Sequence, residues 1–377
     1  MPRRVLVVTV VHHPWDARIW HRQITAVLDR GWQVTYAAPF KAYGLDQPHA
    51  RQNLRAVDLP RATGRRRWAA QRAAREVLRR CGPSHDVVLL HDPELLTATV
   101  GLSLPPGVWD VHEDTAAAVE IREWIPDVVR RPLAHAIRAV EHVVERRHTL
   151  LLADAHYARR FRRPHTVIPN TTDVPITPVP AGQRDAAGRR RVVYLGSVTV
   201  ERGVLEMVDV GRRISAETDG ELVLDVIGPG HGDAGDILAA AHAAGHLRWR
   251  GFVPNDEALR LLDGALAGLS LLHDAANFRP SMPTKVVEYL AHAVPVITTD
   301  LPVPAALVRR SGGGIVVPFH DTERAVSQLL QWHADPAAAA ARGRAGYDVV
   351  KAEYDWKILT HDFVSALEAA STRGGGR

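Results

Sequence analysis

The sequence predicts an α/β protein of two doubly wound, Rossmann-like domains that face a cleft. Three observations support this fold class. Short apolar, β-branched runs alternate with helical patterns, a segment rich in proline, glycine and polar residues interrupts the alternation, and the alternation then restarts. The length of 377 residues is sufficient for two domains with separate cores. Strands joined by crossover helices form parallel sheets, and such sheets bind ligands beyond the carboxyl ends of their strands.

The elements of the first half follow from the two hydrophobic periods, two residues for strands and 3.6 for helices. The predicted strands are Arg4–Val10, Gln33–Ala37, Asp86–Leu90, Val108–Val111, Leu150–Ala153 and Thr166–Ile168. The predicted helices between them are Asp16–Arg30, Arg67–Cys81 and Ala134–Arg147.

The second half repeats the pattern and ends in an amphipathic helical segment, YDWKILTHDFVSALEAAS. Helical patterns again separate the predicted strands, which are Val192–Leu195, Leu222–Ile227, Leu247–Gly251, Leu269–Leu272, Val294–Thr298 and Ile315–Val317.

The stretch PNTTDVPITPVPAGQRDAAGRR marks the boundary between the halves, because proline, glycine and polar residues break both periods. We therefore predict an N-terminal domain of residues 1–172, a linker of residues 173–190 and a C-terminal domain of residues 191–354. Residues 355–377 are predicted to form a helix that packs back on the N-terminal domain, followed by a disordered tail.

Composition indicates a soluble protein of a reducing compartment. Hydrophobic residues make up 46% and charged residues 24% of the chain, both ordinary for globular proteins. The single cysteine, Cys81, excludes an intrachain disulfide and a cysteine-rich zinc site. The apolar run from Val5 to Val11 is too short to span a bilayer, and no small-residue cleavage site follows it. We expect a cytoplasmic protein, with peripheral contact at the inner face of the cell membrane as a further expectation.

The formal net charge of +5 is concentrated in the first half, in the arginine-rich stretches 61–80 and 122–148. Basic faces of this kind bind anionic membranes, nucleic acids or anionic substrates, and they also occur as solvated helix faces. Both interpretations stay open. No nucleic-acid partner is expected, because no aromatic–basic interleaving or known nucleic-acid module is present. The oligomeric state is left open.

Several enzyme classes are disfavoured by missing motifs. The sequence has no GxGxxG after its first strand and no GxxxxGK[ST], which argues against dinucleotide dehydrogenases and P-loop enzymes. It has no HExxH and no Cys/His ligand spacing, so no metal site is expected despite 20 histidines.

The stretch NFRPSMPTKVVEYLAHAVPVITTD, residues 277–300, places a lysine in the first turn of a predicted helix. A cation there opposes the helix macrodipole, which suggests that an anion binds at this end. Lys285 and Glu288 lie three residues apart and share one helix face, and Pro283 suits the first turn. The alternative is a surface ion pair on a structural helix.

Four segments of the second half, in order and spacing, resemble the donor-binding domain of family 4 glycosyltransferases, which have the two-domain GT-B fold. They are VVYLGSVTVERGVLEMVD, LVLDVIGPG, LRWRGFVPNDEALRLLDGALAGLSLL and PTKVVEYLAHAVPVITTD. HHPWDARIWHRQITAVLDRGWQVTYAAP, HDPELL and WDVHED in the first half resemble the acceptor domain of the branch that builds bacterial surface polysaccharides.

This resemblance implies a retaining glycosyltransferase. The C-terminal domain would bind a nucleotide diphosphate sugar of the UDP or GDP type, and the N-terminal domain a glycan, lipid-linked or small-molecule acceptor. No metal or other cofactor would be required. A soluble secondary-metabolite acceptor, a sugar-nucleotide epimerase and a non-catalytic sugar-nucleotide-binding subunit stay open as alternatives.

The resemblance also implies residue roles. Catalysis is assigned to Lys285, Arg202 and His112. Donor binding is assigned to Gly196, Ser197, Arg202, Phe252, Val253, Ser281, Met282, Pro283, Thr284, Lys285 and Glu288. Acceptor binding is assigned to His12, His13, Asp16, Arg18, His91 and Asp92, although Asp16 also suits a helix N-cap. The chain departs from the family pattern at Ser197, where an arginine is common, and at Pro280, where many members have a glutamate.

Overall fold

The computed structural model describes residues 2–48, 52–112, 116 and 127–373. They form two compact units, one from Met1–Pro169 with Lys357–Arg377 and the other from Asn170–Trp356. The tail expected beyond residue 373 lies outside the described residues. None of the helices in the described ranges has the length and apolar character needed to cross a membrane.

The described part of the first unit contains a seven-stranded parallel sheet in the order β3-β2-β1-β4-β5-β6-β7. The strands are β1 (Arg4–Val8), β2 (Gln33–Ala38), β3 (Leu54–Asp58), β4 (Val87–Leu90), β5 (Gly107–Val111), β6 (His148–Leu152) and β7 (Thr166–Val167). Its helices are α1 (Thr25–Asp29), α2 (Arg67–Cys81), α3 (Leu95–Ala98) and α4 (Asp127–Arg147), with 3₁₀ turns at Lys41–Tyr43, Gly64–Arg66, Gly82–Ser84 and Ala155–Arg160.

The elements of this unit that differ from the sequence prediction include β3 and the helix after β1. Strand β3 was not predicted, because its residues are only partly buried, include Arg55 and Asp58, and form no apolar run. The predicted helix Asp16–Arg30 begins instead as a π-helix, Ala17–Ile24, and becomes α-helical only at Thr25.

The second unit has a six-stranded parallel sheet among its described residues, in the order β10-β9-β8-β11-β12-β13. The strands are β8 (Arg190–Leu195), β9 (Leu222–Ile227), β10 (Arg248–Trp249), β11 (Ala267–Ser270), β12 (Val296–Thr299) and β13 (Gly314–Val317). The helices are α5 (Val204–Glu217), α6 (Asp233–Ala243), α7 (Asn255–Arg260), α8 (Thr284–Ala291), α9 (Pro302–Ser311), α10 (Thr322–Ala334) and α11 (Pro336–Glu353). The C-terminal α12 (Trp356–Thr372) follows them in sequence but belongs to the first unit.

Both faces of the second sheet are buried, as its near-continuous apolar strands require. Val192 and Tyr194 of β8 belong to one apolar cluster, whereas Val193 and Leu195 belong to another. Alternate side chains of a strand point to opposite faces, so these two clusters are the two layers of the core.

The predicted linker packs against the second unit. Val174 and Ala181 are buried, and the Tyr347 hydroxyl donates to the carbonyls of Pro175 and Ile176 at 2.7 and 3.0 Å. Extended proline-rich backbone offers such carbonyls as acceptors without needing a sheet partner.

Candidate functional site

The loops that follow β8 and β9 form the backbone of a site at the carboxyl edge of the second sheet. The Gly196 N–H donates to the Ile227 carbonyl at 2.8 Å, and the Val198 N–H donates to the Pro229 carbonyl at 2.9 Å. A Cβ on Gly228 would lie 2.0 Å from the Gly196 carbonyl oxygen, so only glycine fits there. The two loops are therefore held in close backbone contact.

Lys285 lies against this loop pair. Its side chain is 6% exposed, and its Nζ lies 3.6 Å from the ring centroid of Tyr194. Lys285 also contacts Gly196, where a Cβ would lie 3.8 Å from Nζ. Within the described ranges Nζ has no hydrogen-bond partner. An ammonium carries three donors, so burying it without an acceptor is costly, and the ring face satisfies it only in part.

A second cation borders the same tyrosine. Burial, followed by the charge of Arg202, lowers the pKa of Lys285 well below its ordinary value, while Glu288 acts in the opposite direction. Burial raises the pKa of Tyr194 to about 12, whereas the nearby Arg202 guanidinium acts to lower it. Arg202 also lies over the Phe278 ring, 5.9 Å from its centroid. Two cations that repel each other here would both be stabilised by a bound anion.

Helix α8 directs its N-terminus toward the site. Pro283 is its N-cap residue and provides no side-chain hydrogen bond, and the Val286 N–H donates to the Pro283 carbonyl at 3.0 Å. The N–H groups of Thr284 and Lys285 are therefore the donors that this helix end offers to a ligand. Thr284 is the first helical residue, and Glu288, 5% exposed, lies one turn beyond it. The helix end thus adds backbone donors and a positive partial charge beside Lys285.

The loop before α8 holds the remaining predicted residues of that segment. The Ser281 hydroxyl donates to the carbonyls of Asn277 and Phe278, at 3.3 and 3.2 Å, and Met282 is buried. The Asn277 side-chain oxygen is buried and has no partner among the residues that the structure describes. Asn277 was not among the residues predicted for the site.

Ser197 and the segment 251–253 border the same loops. The Ser197 carbonyl accepts from the Tyr194 hydroxyl at 2.8 Å, and the Gly251 carbonyl accepts from the Gly228 N–H at 2.8 Å. Phe252 is 62% exposed, whereas Val253 packs against the apolar cluster below it. An exposed aromatic ring next to a strand-end loop can stack on a planar ligand.

The first unit brings three predicted residues to one buried carboxylate, Asp110. The guanidinium of Arg18 binds both oxygens of Asp110, at 2.9 and 2.7 Å, and His112 Nε2 lies 3.2 Å away. His91 Nδ1 and His112 Nε2 are 2.9 Å apart. Gln23 adds a fourth contact at 2.6 Å.

The titration of this group follows from its burial. Burial alone would raise the pKa of Asp110, but the Arg18 guanidinium and then His112 hold that pKa well below its usual range. Burial lowers the pKa of His91 to about 4, against the effect of Asp110. Asp110 is therefore an ionised carboxylate that orients His112, and His91 is a neutral imidazole beside it.

Arg18, for which an acceptor contact is predicted, is held by contacts inside the first unit. Its side chain is 6% exposed, and its Nη1 also donates to the Ile168 carbonyl at 2.7 Å. Arg18 and Gln23 are five residues apart, the hydrogen-bond spacing of a π-helix, so the π-helical winding places both on the side of Asp110. The carboxylate itself was not predicted, although Asp110 and His112 alternate in an extended strand and so share one face.

The other candidates of the first unit are also paired. Asp92 is 1% exposed and accepts from the Thr9 hydroxyl at 3.0 Å and the Val10 N–H at 2.5 Å, which orders the loop after β1. His12 Nε2 lies 3.4 Å from Asp92, and the rings of His12 and His112 are 5.0 Å apart. Thus His12, His91 and His112 lie together, and Asp92 orders the loop that carries His12.

Asp16 and His13 lie at the start of the π-helix. Asp16 is its N-cap residue, accepting from the N–H groups of Arg18 and Ile19 at 2.8 and 3.0 Å. His13 Nδ1 accepts from the Trp15 N–H at 3.1 Å and its ring contacts Tyr43 edge-on. The N-cap alternative for Asp16 thus describes its contacts in this structure.

The chain resembles known proteins in sequence and in fold. Residues 189–335 match the sequence model of the family described as glycosyl transferases group 1. No curated protein matches the chain by sequence.

Solved structures match nearly the whole chain. Sucrose-phosphate synthase from Thermosynechococcus elongatus, 14% identical, aligns over 98% of this chain and 100% of its own with a TM-score of 0.77. HepE of Anabaena in complex with UDP-glucose, 11% identical, aligns over 97% and 99% with a TM-score of 0.68. WaaG, a glycosyltransferase involved in lipopolysaccharide biosynthesis, is 13% identical and aligns over 99% and 100% with a TM-score of 0.67.

The chain has the GT-B fold. This confirms the predicted fold class, and at identities of 11–14% the likeness extends to the fold alone. In both units of this GT-B chain the loops described above include those that follow the two strands at which the strand order reverses, β1 and β4 or β8 and β11. Such switch points are where doubly wound sheets bind ligands.

Proposed function

We propose that the chain is a retaining glycosyltransferase of family 4. It transfers a sugar from a nucleoside diphosphate sugar to a hydroxyl group of a glycan, lipid-linked or small-molecule acceptor, in the assembly of a bacterial polysaccharide or glycoconjugate. The observation that carries the proposal is the buried ammonium of Lys285, which has no hydrogen-bond partner in the described part of the chain and lies beside Arg202 at an uncapped helix N-terminus.

A diphosphate meets the needs of this site. Its oxygens would accept from Lys285, from Arg202 and from the first N–H groups of α8, and each of these bonds involves a charged partner. Glu288, one turn further along α8, is placed to accept hydrogen bonds from the ribose hydroxyls of the same nucleotide. Phe252 offers a ring on which a base can stack.

The same groups would promote sugar transfer. When the bond between the anomeric carbon and the diphosphate breaks, negative charge grows on the leaving oxygen and positive charge on the sugar ring. Lys285, Arg202 and the helix N–H groups are already oriented, so they stabilise the leaving diphosphate without reorganising. The leaving oxygen then accepts the proton of the acceptor hydroxyl. His112, which Asp110 orients, is assigned to the donor sugar.

Contact with an anionic membrane surface is part of the proposal. One face of α4 is apolar and exposed, and it carries Val128, Val129, Leu133, Val140 and Val143. Exposed Arg146 and Arg147 follow at the end of the same helix. An exposed apolar face flanked by arginines fits the interface of a membrane that contains anionic lipids. Trp124 and Ile125, which the sequence also suggests for this contact, lie outside the described residues.

The first test is a calorimetric binding panel of UDP, GDP, ADP and dTDP, with and without Mg²⁺. We expect one nucleotide to bind selectively. Lys285→Met should weaken that binding by about 1.5–3 kcal/mol, the scale of a charged hydrogen bond. Lys351→Met is the matched control, because Lys351 also lies beside a tyrosine ring, 5.4 Å from Tyr347, but is exposed. Equal affinities in all three proteins would remove Lys285 from the site.

The alternatives give different products. A transferase consumes the donor only with an acceptor and forms a glycoside whose anomeric configuration, read by NMR, matches the donor. An epimerase converts the free donor to another sugar nucleotide without any acceptor. Nucleotide binding without turnover on any acceptor would indicate the non-catalytic subunit. Glu288→Gln should weaken nucleotides more than inorganic diphosphate, and an equal loss for both would refute the ribose contact.

A further inference from the structure

A separate group of metal-ligand side chains lies at the carboxyl edge of the second sheet. Glu206 is in the first turn of α5, His273 follows β11 and His320 follows β13. His273 and His320 are 67 and 114 residues from Glu206 in sequence, so no ligand spacing predicted the group. None of the three contributes to the donor contacts described above.

The three side chains converge on one point. His273 Nε2 lies 3.0 Å and His320 Nδ1 lies 2.6 Å from the same carboxylate oxygen, Glu206 Oε1. One ligand atom from each of the three residues lies within 4.8 Å of the others. The second carboxylate oxygen, Oε2, is buried and has no hydrogen-bond partner among the described residues.

This arrangement fits a divalent transition metal. Zinc binds imidazole nitrogens and carboxylate oxygens at about 2.0–2.2 Å in a tetrahedron, so its ligand atoms lie near one another as these do. Two nitrogens and one oxygen favour zinc and similar ions over magnesium and calcium, which prefer oxygen ligands. A bound cation would also give the buried Oε2 a partner.

The backbone around the three ligands is held in place, and one side is open. The His273 N–H donates to the Glu201 carbonyl at 2.9 Å. His320 adopts a left-handed backbone conformation with φ of 63°, which is uncommon outside glycine, although asparagine, aspartate and histidine adopt it more often than other residues. The Glu206 side chain is 11% exposed and that of His320 is 59% exposed. A metal ion could enter past His320 and keep a water molecule as its fourth ligand.

Another group of three potential metal ligands within the described ranges, His91, Asp110 and His112, is less suited to bind a metal ion. Asp110 already accepts two hydrogen bonds from the Arg18 guanidinium, and a metal ion there would be repelled by that cation.

We propose that Glu206, His273 and His320 bind one zinc-type divalent metal ion with an open fourth position. The ion would join the start of α5 to the loops after β11 and β13. It would thereby brace the loop of residues 199–203, which carries Arg202 and to which the His273 backbone is bonded. The site does not depend on nucleotide binding, so a chain that bound zinc and no nucleotide would still satisfy this proposal.

The test uses full-length, tag-free protein, stripped with a chelator and then equilibrated with Zn²⁺ or Co²⁺. Wild type should retain about one metal per chain at this site, with a visible Co²⁺ spectrum of nitrogen and oxygen coordination. Glu206→Gln and His320→Asn should each weaken this binding by more than about 10-fold. Asparagine accepts the left-handed backbone at position 320, so that variant tests the imidazole without changing the loop.

Two controls separate this site from weak binding by other histidines. His231→Asn removes an exposed histidine of the same unit, and His112→Asn disrupts the other group. Both should keep the metal stoichiometry of wild type. The proposal is overturned if wild type retains no metal, if Glu206→Gln and His320→Asn retain as much as wild type, or if a control loses as much as they do.

Discussion

Lys285 is the residue on which the chemistry of the second unit depends. Its ammonium is buried against Tyr194 and Gly196, and no described carboxylate or carbonyl accepts from it. Burying such an unpaired donor costs about 1–3 kcal/mol on mutational scales. A folded protein keeps the donor at that cost when its function requires it. We infer that the need is the charge of a bound diphosphate.

The lowered pKa of Lys285 leads to a prediction about protons. Between this lowered pKa and 10.5, the ordinary value, the folded chain has lost a proton that the unfolded chain still holds. Stability without ligand should therefore rise with pH through this window. A diphosphate favours the charged lysine, so its binding near about pH 9 should take up as much as about one proton.

Calorimetry of the selected nucleotide in two buffers of different ionisation enthalpy measures this uptake. Phosphate groups are fully ionised at that pH and contribute none of it. Lys285→Met should show no uptake in the same window, and Lys351→Met should behave as wild type. Uptake that persisted in Lys285→Met would assign the proton to another group.

Arg18 has contacts that its position in the sequence did not indicate. As a charged residue in the first βα loop it suggested an acceptor ligand, yet it is buried and bonded to Asp110 and to the Ile168 carbonyl. The reason is the π-helical turn, which no local pattern in the sequence indicates. A buried ion pair of this kind is costly to break from one side, because the partner charge is then left unpaired.

Among the elements, α8 was predictable and α4 was only partly so. The prolines and Lys285 at the start of α8 mark both the helix and its anion-binding end. Helix α4 extends to Asp127, beyond its predicted start at Ala134, and it includes Pro132 although proline removes a hydrogen bond inside a helix.

The exposed apolar face of α4 is predicted to bind vesicles that contain anionic lipids. Val140→Asp with Val143→Asp should reduce flotation with vesicles that contain anionic lipids, because both charges enter the apolar face. Ile176→Asp is the control, since Ile176 is 78% exposed in the second unit. Neutral vesicles should bind all three proteins weakly. Equal flotation of the double variant and the control would contradict membrane contact through α4.

At the scale of the whole molecule, the two units repeat one strand order, in which the first strand of each sheet pairs with the second and the fourth. The Lys285 site and the Asp110 group each lie beside loops that follow the strands at which this order reverses. The C-terminal helix α12 belongs to the first compact unit, although it follows the second unit in sequence. Phe363, Val364 and Leu367 of α12 are fully buried, and Glu368 pairs with Arg3 at 2.5 Å.

The stability of the first unit should therefore depend on α12. Leu367→Ala should cost about 2–5 kcal/mol, the range for a large-to-alanine change in a core. Ile358→Ala, on an exposed site of the same helix, should cost little. Hydrogen exchange read by mass spectrometry should accelerate in β1–β6 of the Leu367→Ala protein and stay unchanged in β8–β13. Acceleration confined to β8–β13 would contradict the assignment of α12 to the first unit.

Most strands and helices and the fold class could be predicted from the sequence alone. Helix Arg67–Cys81 and strand Leu222–Ile227 have the predicted bounds, because their periodicity reflects the buried faces of single elements. Lys285 and Glu288 share a face for the same local reason. Three features are visible only in the folded chain. Lys285 is buried, Arg18 and Gln23 contact Asp110, and Glu206 contacts His273 and His320. These contacts join segments that crossover connections bring to one sheet edge from distant parts of the chain. A local sequence pattern does not indicate which distant segments will come together.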